Sequence, residues 1–329
     1  MSKELTVVCV LGWFFLVGQV YSSHFNCEAE TGDKRCFKTL NDSFCGDEES
    51  EEPQCKKACI VMPSLSLDEG WKAVEALPFS KSGLASGGPK DRYPDVTPFE
   101  FNRFKYLADD ERYINASLVK FDNCQQTFIQ SQAPLISTIA DHWEMIWQSD
   151  AATTVMLTNF FDRRTAKAQC YWPIEEGKSE EFGDNFNVKL LKREEILQAE
   201  LLNVVQFDFQ IEKGSETKKH TLIHYKLWLD QGVVSVPQIL ELYTLVKNIH
   251  PDKKQPIIVH CSAGIGRAGT FVALYSLLSA FEEGIIGDPS QQVLALRKQR
   301  ARSVQTKGQY ALVYESFNQF VSTHAKKRQ

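Results

Sequence analysis

The chain has 329 residues, 43% hydrophobic and 24% charged, which suits one large globular domain or two of ordinary size. A net charge of −5 argues against a nucleic-acid binder, which would carry a concentrated positive excess. Beyond the N-terminus, no segment approaches the roughly 20 consecutive apolar residues that a bilayer span requires.

Residues 1–23 have the form of a secretory leader. Lys3 supplies a charged start, residues 6–20 are apolar apart from Gln19, and Val20 and Ser22 suit a cleavage site. The run is short for a span, so cleavage and secretion are expected. The alternative is an uncleaved anchor holding a lumenal or extracellular protein at a membrane. Cys27, Cys36, Cys45, Cys55 and Cys59 then crowd into residues 24–62, while only Cys124, Cys170 and Cys261 follow. Behind a leader, such density reads as a disulfide module, because so short a segment cannot bury a sufficient core. The odd count leaves the pairing open. A zinc site competes, but the usual closely paired cysteine knuckles are missing.

Residues 63–88 are expected to be a linker with a first helix at 67–76 and a small-residue loop at 82–88. From residue 89 to 329 the chain reads as one dense domain. Strands are expected at 113–121, 127–131 and 153–158, and a helix at 135–150. Residues 188–211 and 218–228 read as paired strands, 237–249 as a helix and 256–259 as a short buried strand. Helical patterns follow at 267–281, 294–299 and 308–324.

The chemistry gathers between that buried strand and the helix at 267. His260 and Cys261 are followed by Ser262, Ala263, Gly264, Ile265, Gly266 and Arg267. The two glycines give backbone freedom, and the helix start contributes a positive dipole end. Such a loop can turn several N–H groups inward and cradle a phosphate. Arg267 adds a planar, bidentate donor, and the electropositive setting favours Cys261 as a thiolate nucleophile.

The run Val259-His260-Cys261-Ser262-Ala263-Gly264-Ile265-Gly266-Arg267-Ala268-Gly269 resembles the signature of the tyrosine-specific protein phosphatases. Arg92-Tyr93-Pro94-Asp95-Val96 is similar to that family's phosphotyrosine-recognition loop. Further similar stretches start at Tyr113, Phe128, Cys170 and Val304, so the resemblance covers about 71–320. It implies an α+β fold: a single phosphatase domain with a twisted mixed sheet flanked by helices. It implies that Cys261 attacks phosphorus and that Arg267 with residues 262–266 binds the phosphate. Asp230, in Trp228-Leu229-Asp230, would protonate the leaving phenolate. Gln305 and Gln309 would place the hydrolytic water, and Tyr93 and Asp95 would grip the substrate ring and backbone. Asp162, Arg163 and Lys167 match charged positions beside the acid loop more loosely. The implied partner is a phosphotyrosine protein or peptide, and no metal or organic cofactor is implied.

Two residues depart from the family pattern. Leu229 stands where proline is expected, which loosens the acid loop. Ala268 stands where a serine or threonine hydroxyl is expected beside the cysteine sulfur. The expectation is an active enzyme with a slow second step. Its alternatives are a catalytically weak phosphotyrosine-binding pseudophosphatase and a secreted interaction protein acting through the cysteine-rich module.

Overall fold

The computed structural model describes residues 8–9, 59–60, 65–107, 111–183, 186–197, 203–250 and 252–327. The expected leader and cysteine-rich module lie outside the described residues, apart from two short strands. These are β1 (Val8–Cys9) and β2 (Cys59–Ile60), paired antiparallel.

Helix α1 (Leu67–Glu75) is opened by Ser66. The Ser66 hydroxyl accepts the Glu69 N–H, and the Glu69 carboxylate accepts the Ser66 N–H at 3.1 Å. This reciprocal cap fixes the helix start. The α1 backbone then takes part in the main domain, since Arg297 donates to the Val74 carbonyl at 2.6 Å.

In chain order there follow β3 (Ala116–Phe121), β4 (Cys124–Ser131), α2 (Ile139–Ser149) and β5 (Thr153–Met156). A two-residue ribbon, β6 (Phe161–Asp162) and β7 (Thr165–Ala166), precedes β8 (Ser179–Phe182), β9 (Phe186–Ile196), β10 (Val204–Lys213) and β11 (Glu216–Tyr225). The chain ends with α3 (Val236–Ile249), β12 (Ile257–His260), α4 (Arg267–Glu282), α5 (Pro289–Arg297) and α6 (Lys307–Lys327).

Eight strands make one mixed sheet in the order β3-β4-β12-β5-β11-β10-β9-β8. β12 lies parallel to both β4 and β5, β5 is parallel to β11, and the outer pairs are antiparallel. The α+β architecture expected from the sequence is the one observed. Ile257 and Val259 point into the core formed with α3, α4 and α6, while Ile258 points into the core on the α2 side. A strand buried on both faces must be apolar throughout, which is why Ile257-Ile258-Val259 has no polar alternation. Helix α4 is buried from Arg267 to Phe281, so it is largely apolar on every side and packs at the centre of the domain.

Several element boundaries differ from the sequence expectation. Residues 188–211 divide into β9 and β10, with Asn203 turning at φ 57° and the register slipping between Asp208 and Phe209. The helix expected at 294–299 begins earlier, at Pro289. Asp288 caps it by accepting the Ser290 and Gln291 N–H groups at 2.7 and 3.0 Å. The helix expected from 135 opens with a 3₁₀ turn, Ile136–Thr138. β11 ends at Tyr225, which leaves Trp228 in a loop.

Candidate active site

The site forms where β12 hands the chain to α4. His260 ends the strand and Arg267 begins the helix, so residues 261–266 make a tight loop over the helix N-terminus. Gly264 is obligatory there. Its φ is 72°, and a Cβ would lie 2.1 Å from the Ser131 carbonyl oxygen. Gly266 is crowded by a side chain instead: its φ is −74°, and a Cβ would lie 2.3 Å from Gln305 Oε1.

The loop carbonyls are held from outside. Ser262 O accepts the Ala133 N–H at 2.9 Å, and Ile265 O accepts the Val304 N–H at 3.0 Å. Gly264 O accepts from Gln130 Nε2 at 2.8 Å and from Arg300 Nε at 3.3 Å. Ala263 O accepts from Arg300 Nη2 at 3.3 Å. Because a trans peptide sets N–H opposite C=O, drawing the carbonyls outward turns the following N–H groups toward the loop centre. The loop is thereby built as an anion cradle.

Arg300 is the keystone of this outer shell. It is fully buried, and Nη2 also donates to Asn115 Oδ1 at 2.6 Å. Burial pulls its pKa down to about 10, which still leaves it charged at neutral pH. His260 is likewise buried. Its pKa is pushed down to about 3, chiefly by burial, so its ring is neutral. Nδ1 lies 3.2 Å from the Cys261 carbonyl and must donate to it. Nε2 is then an acceptor and takes the Tyr171 hydroxyl proton at 2.8 Å. The strand end that carries Cys261 is fixed by these bonds. The Cys261 thiol is free and 3% exposed.

Arg267 reaches across to the loop that carries Asp230. Nη1 donates to Thr158 Oγ1 at 2.9 Å and to the Trp228 carbonyl at 2.8 Å, and Nη2 lies 3.1 Å from Asp230 Oδ1. Lys167 Nζ holds the other Asp230 oxygen at 2.7 Å, and this contact raises the Lys167 pKa. The Asp230 N–H donates to Asp162 Oδ2 at 2.9 Å. Trp228 is buried and donates its indole N–H to the Gly232 carbonyl at 2.9 Å, closing the loop on itself. Of the three loosely matched charges, Asp162 and Lys167 therefore meet Asp230, while Arg163 occupies the turn between β6 and β7 at φ 55°.

The opposite wall carries Tyr93. Arg92 binds the Ala133 and Pro134 carbonyls at 3.1 and 2.8 Å, clipping the Tyr93 segment to the end of β4. Ser262 Oγ donates to the Lys167 carbonyl at 2.8 Å, so at 3.0 Å the Tyr93 hydroxyl donates to Ser262 Oγ. Asp95 is exposed at the rim and ion-paired to Arg302 at 2.9 Å. On the helix side, Gln309 is buried and its Oε1 accepts the Gln305 N–H at 2.9 Å. Both glutamine side chains lie against Gly266.

The residues assigned by sequence to catalysis and phosphate binding thus lie around one loop, with Asp95 at its rim and Arg163 away from it. Sequence reasoning missed Arg300, Gln130 and Thr158. Arg300 lies in the polar run Lys298-Gln299-Arg300-Ala301-Arg302, which looks like solvated surface.

Comparison with known proteins settles the lineage. The protein-tyrosine phosphatase family profile matches residues 88–319. The chain belongs to the protein-tyrosine phosphatase family. It is 34% identical over 229 residues to the tyrosine-protein phosphatase non-receptor type 2 of Rattus norvegicus, covering 68% of this chain and 54% of that protein. It is 29% identical over 301 residues to the receptor-type tyrosine-protein phosphatase eta of Gallus gallus, covering 88% of this chain and 20% of the relative. With the receptor-type tyrosine-protein phosphatase H of Homo sapiens it shares 32% identity, over 74% of this chain and 22% of that one. The chain spans about half the length, or less, of these curated relatives. Ala268 is fully buried in the first turn of α4, and Leu229 is 61% exposed on the loop that carries Asp230.

Proposed function

We propose that this chain hydrolyses phosphotyrosine in peptides and proteins through a cysteinyl-phosphate intermediate. The observation that carries the reading is the Asp230 carboxylate held at 3.1 Å from Arg267, the residue that closes the Cys261 loop. A phosphate seated in the loop would thus have a thiol beneath it and a carboxyl group at its leaving oxygen.

In the first step the Cys261 thiolate forms the S–P bond as the P–O bond to tyrosine breaks. The departing electron pair stays on the phenolic oxygen, which takes the Asp230 proton. A phenol has a pKa near 10, so this donation matters at neutral pH and is worth about 10²–10⁴-fold. In the second step a water oriented by Gln305 and Gln309 attacks phosphorus and gives its proton to the Asp230 carboxylate. The S–P bond breaks and the thiolate is restored. The inward N–H groups of residues 262–266 and the Arg267 guanidinium stabilise the phosphoryl oxygens in both steps. Tyr93, hydrogen-bonded to Ser262, sets the wall that a phenyl ring would stack on, and Asp95 would accept a substrate N–H.

Ala268 offers no hydroxyl to the departing sulfur, so the second step limits turnover. Leu229 leaves the acid loop freer than proline would. The same two residues motivate a second reading, a phosphotyrosine-binding domain with negligible turnover. Asp230→Ala separates the two: it lowers the rate of an enzyme and leaves a pure binder unchanged.

We further infer from the sequence a cleaved leader at 1–23 and a disulfide module at 24–62. A linker and first helix at 63–88 and a catalytic domain at 89–329 complete the chain, in a secreted protein. Mass spectrometry of the mature N-terminus tests this, since an intact Met1 refutes cleavage. The activity itself is tested with a phosphotyrosine peptide under reducing conditions. Release of phosphate by the native chain and its loss in Cys261→Ser is the expected result, and equal rates overturn it.

A further inference from the structure

The turn between α5 and α6 holds an arginine in a backbone shape that suits glycine. Arg302 has φ 61°, a left-handed conformation that glycine adopts freely and arginine does not. Such a placement points to a use for the side chain. Its Nη1 lies 2.9 Å from Asp95 Oδ2, and its guanidinium carbon lies 4.3 Å from the centre of the Phe79 ring. All three side chains are at the surface: Arg302 is 43% exposed, Asp95 65% and Phe79 39%.

The position is tied to the phosphate loop from both sides. Asp95 is two residues from Tyr93, whose hydroxyl meets Ser262 at 3.0 Å. Val304, two residues after Arg302, donates its N–H to the Ile265 carbonyl at 3.0 Å, and Gln305 follows. Arg302 therefore stands on the rim directly outside the pocket, beside the carboxylate assigned to the peptide backbone.

We propose that Arg302 is a specificity-determining residue that selects phosphotyrosine substrates with an acidic residue flanking the phosphotyrosine. The inference rests on the phosphotyrosine reading of the site. Exposed ion pairs are weak and exchange readily. A substrate carboxylate can replace Asp95 on Arg302 at little net cost, with Phe79 holding the guanidinium plane in place. The exchange also frees Asp95 to accept a substrate N–H. A neutral substrate leaves Arg302 on Asp95 and has to compete for the same carboxylate. An acidic flank thus gains a partner and releases one.

The test compares kcat/KM for phosphotyrosine peptides that differ only in carrying Glu, Gln or Lys at one flanking position, scanned along the peptide. The native chain should prefer Glu over Gln at one position by about three- to tenfold, and rising ionic strength should reduce that ratio. Arg302→Gln should bring the ratio close to one, and Arg302→Glu should reverse it toward Lys. An unchanged ratio in Arg302→Gln, or no acidic preference at any position, overturns the proposal. If no peptide is hydrolysed, the phosphatase reading fails separately. Fluorescence anisotropy of the same peptides then decides the point, with the same ratios in affinity supporting the role of Arg302 and equal affinities overturning it.

Discussion

Lys167 Nζ lies 2.7 Å from one oxygen of Asp230, whose other oxygen lies 3.1 Å from Arg267. The carboxylate is thus clamped over the Cys261 loop by two cations from different parts of the chain. Lys167 is a positioning residue in this scheme, because it touches the acid and not the phosphate. Lys167→Met should lower kcat on a phosphotyrosine peptide by about tenfold with little change in KM, a loss in the range of one charge-assisted hydrogen bond. A purely structural role would instead lower the melting temperature and leave kcat in proportion to folded protein.

Asp230→Asn keeps the shape and removes the proton. The expected loss is about 10²–10⁴-fold in kcat for phenolic leaving groups near pKa 10, shrinking steadily as the leaving group becomes more acidic. A series of substituted aryl phosphates measures this. Equal losses across the series would contradict an acid role for Asp230.

Ala268 allows a gain-of-function prediction. Ala268→Ser restores a hydroxyl at the first turn of α4 and should speed breakdown of the intermediate by several-fold, roughly the worth of one hydrogen bond. Stopped-flow traces with para-nitrophenyl phosphate should show a burst in the native chain that shrinks in the variant as steady-state turnover rises. A native chain without a burst shows that the first step limits the rate.

Much of this was legible in the chain. The apolar run Ile257-Ile258-Val259, the glycines at 264 and 266 and the helix after Arg267 announce strand, cradle and dipole within a dozen residues, because each is a local constraint. The fold class followed from the family resemblance. The outer shell was not legible. Gln130, Thr158 and Arg300 act through contacts between residues far apart in the chain, and nothing local marks a buried arginine within a polar run. The early start of α5 is a different case. Asp288-Pro289 is a local cap signal that places the helix start at Pro289. The break between β9 and β10 was not legible either, since the left-handed φ of Asn203, just before β10, is one of several conformations that asparagine tolerates.

Gly264→Ala tests the cradle. The added Cβ would meet the Ser131 carbonyl oxygen at 2.1 Å on a backbone at φ 72°, so loop or strand has to move. The expected cost is about 2 kcal/mol or more in stability, with phosphatase activity lost beyond what unfolding explains. Chemical denaturation and a rate assay on the same sample separate the two effects.

Buried histidines contribute to the acid stability, and burial also lowers the pKa of His250. Burial holds His220 and His224 down at about 4 and His260 at about 3, and keeps His142 well below 6.5. Each is neutral when folded and gains a proton on unfolding once the pH falls below about 6.5. The unfolded state then binds more protons, so stability is complete above that pH and is lost as the pH falls toward the folded values. Each can contribute up to about 2 kcal/mol of that loss at pH 5. The melting temperature should therefore fall by more than about 10 °C between pH 7 and pH 5. A flat profile over that range would contradict the buried, neutral assignment.

The most direct test of the account is capture of the covalent intermediate. The native chain is mixed with a phosphotyrosine peptide under reducing conditions, quenched in acid within the burst, digested and examined by mass spectrometry. One phosphate is expected on the peptide containing Cys261, absent from Cys261→Ser. Peptide hydrolysis with no phosphate on Cys261, or unchanged hydrolysis in Cys261→Ser, would contradict it.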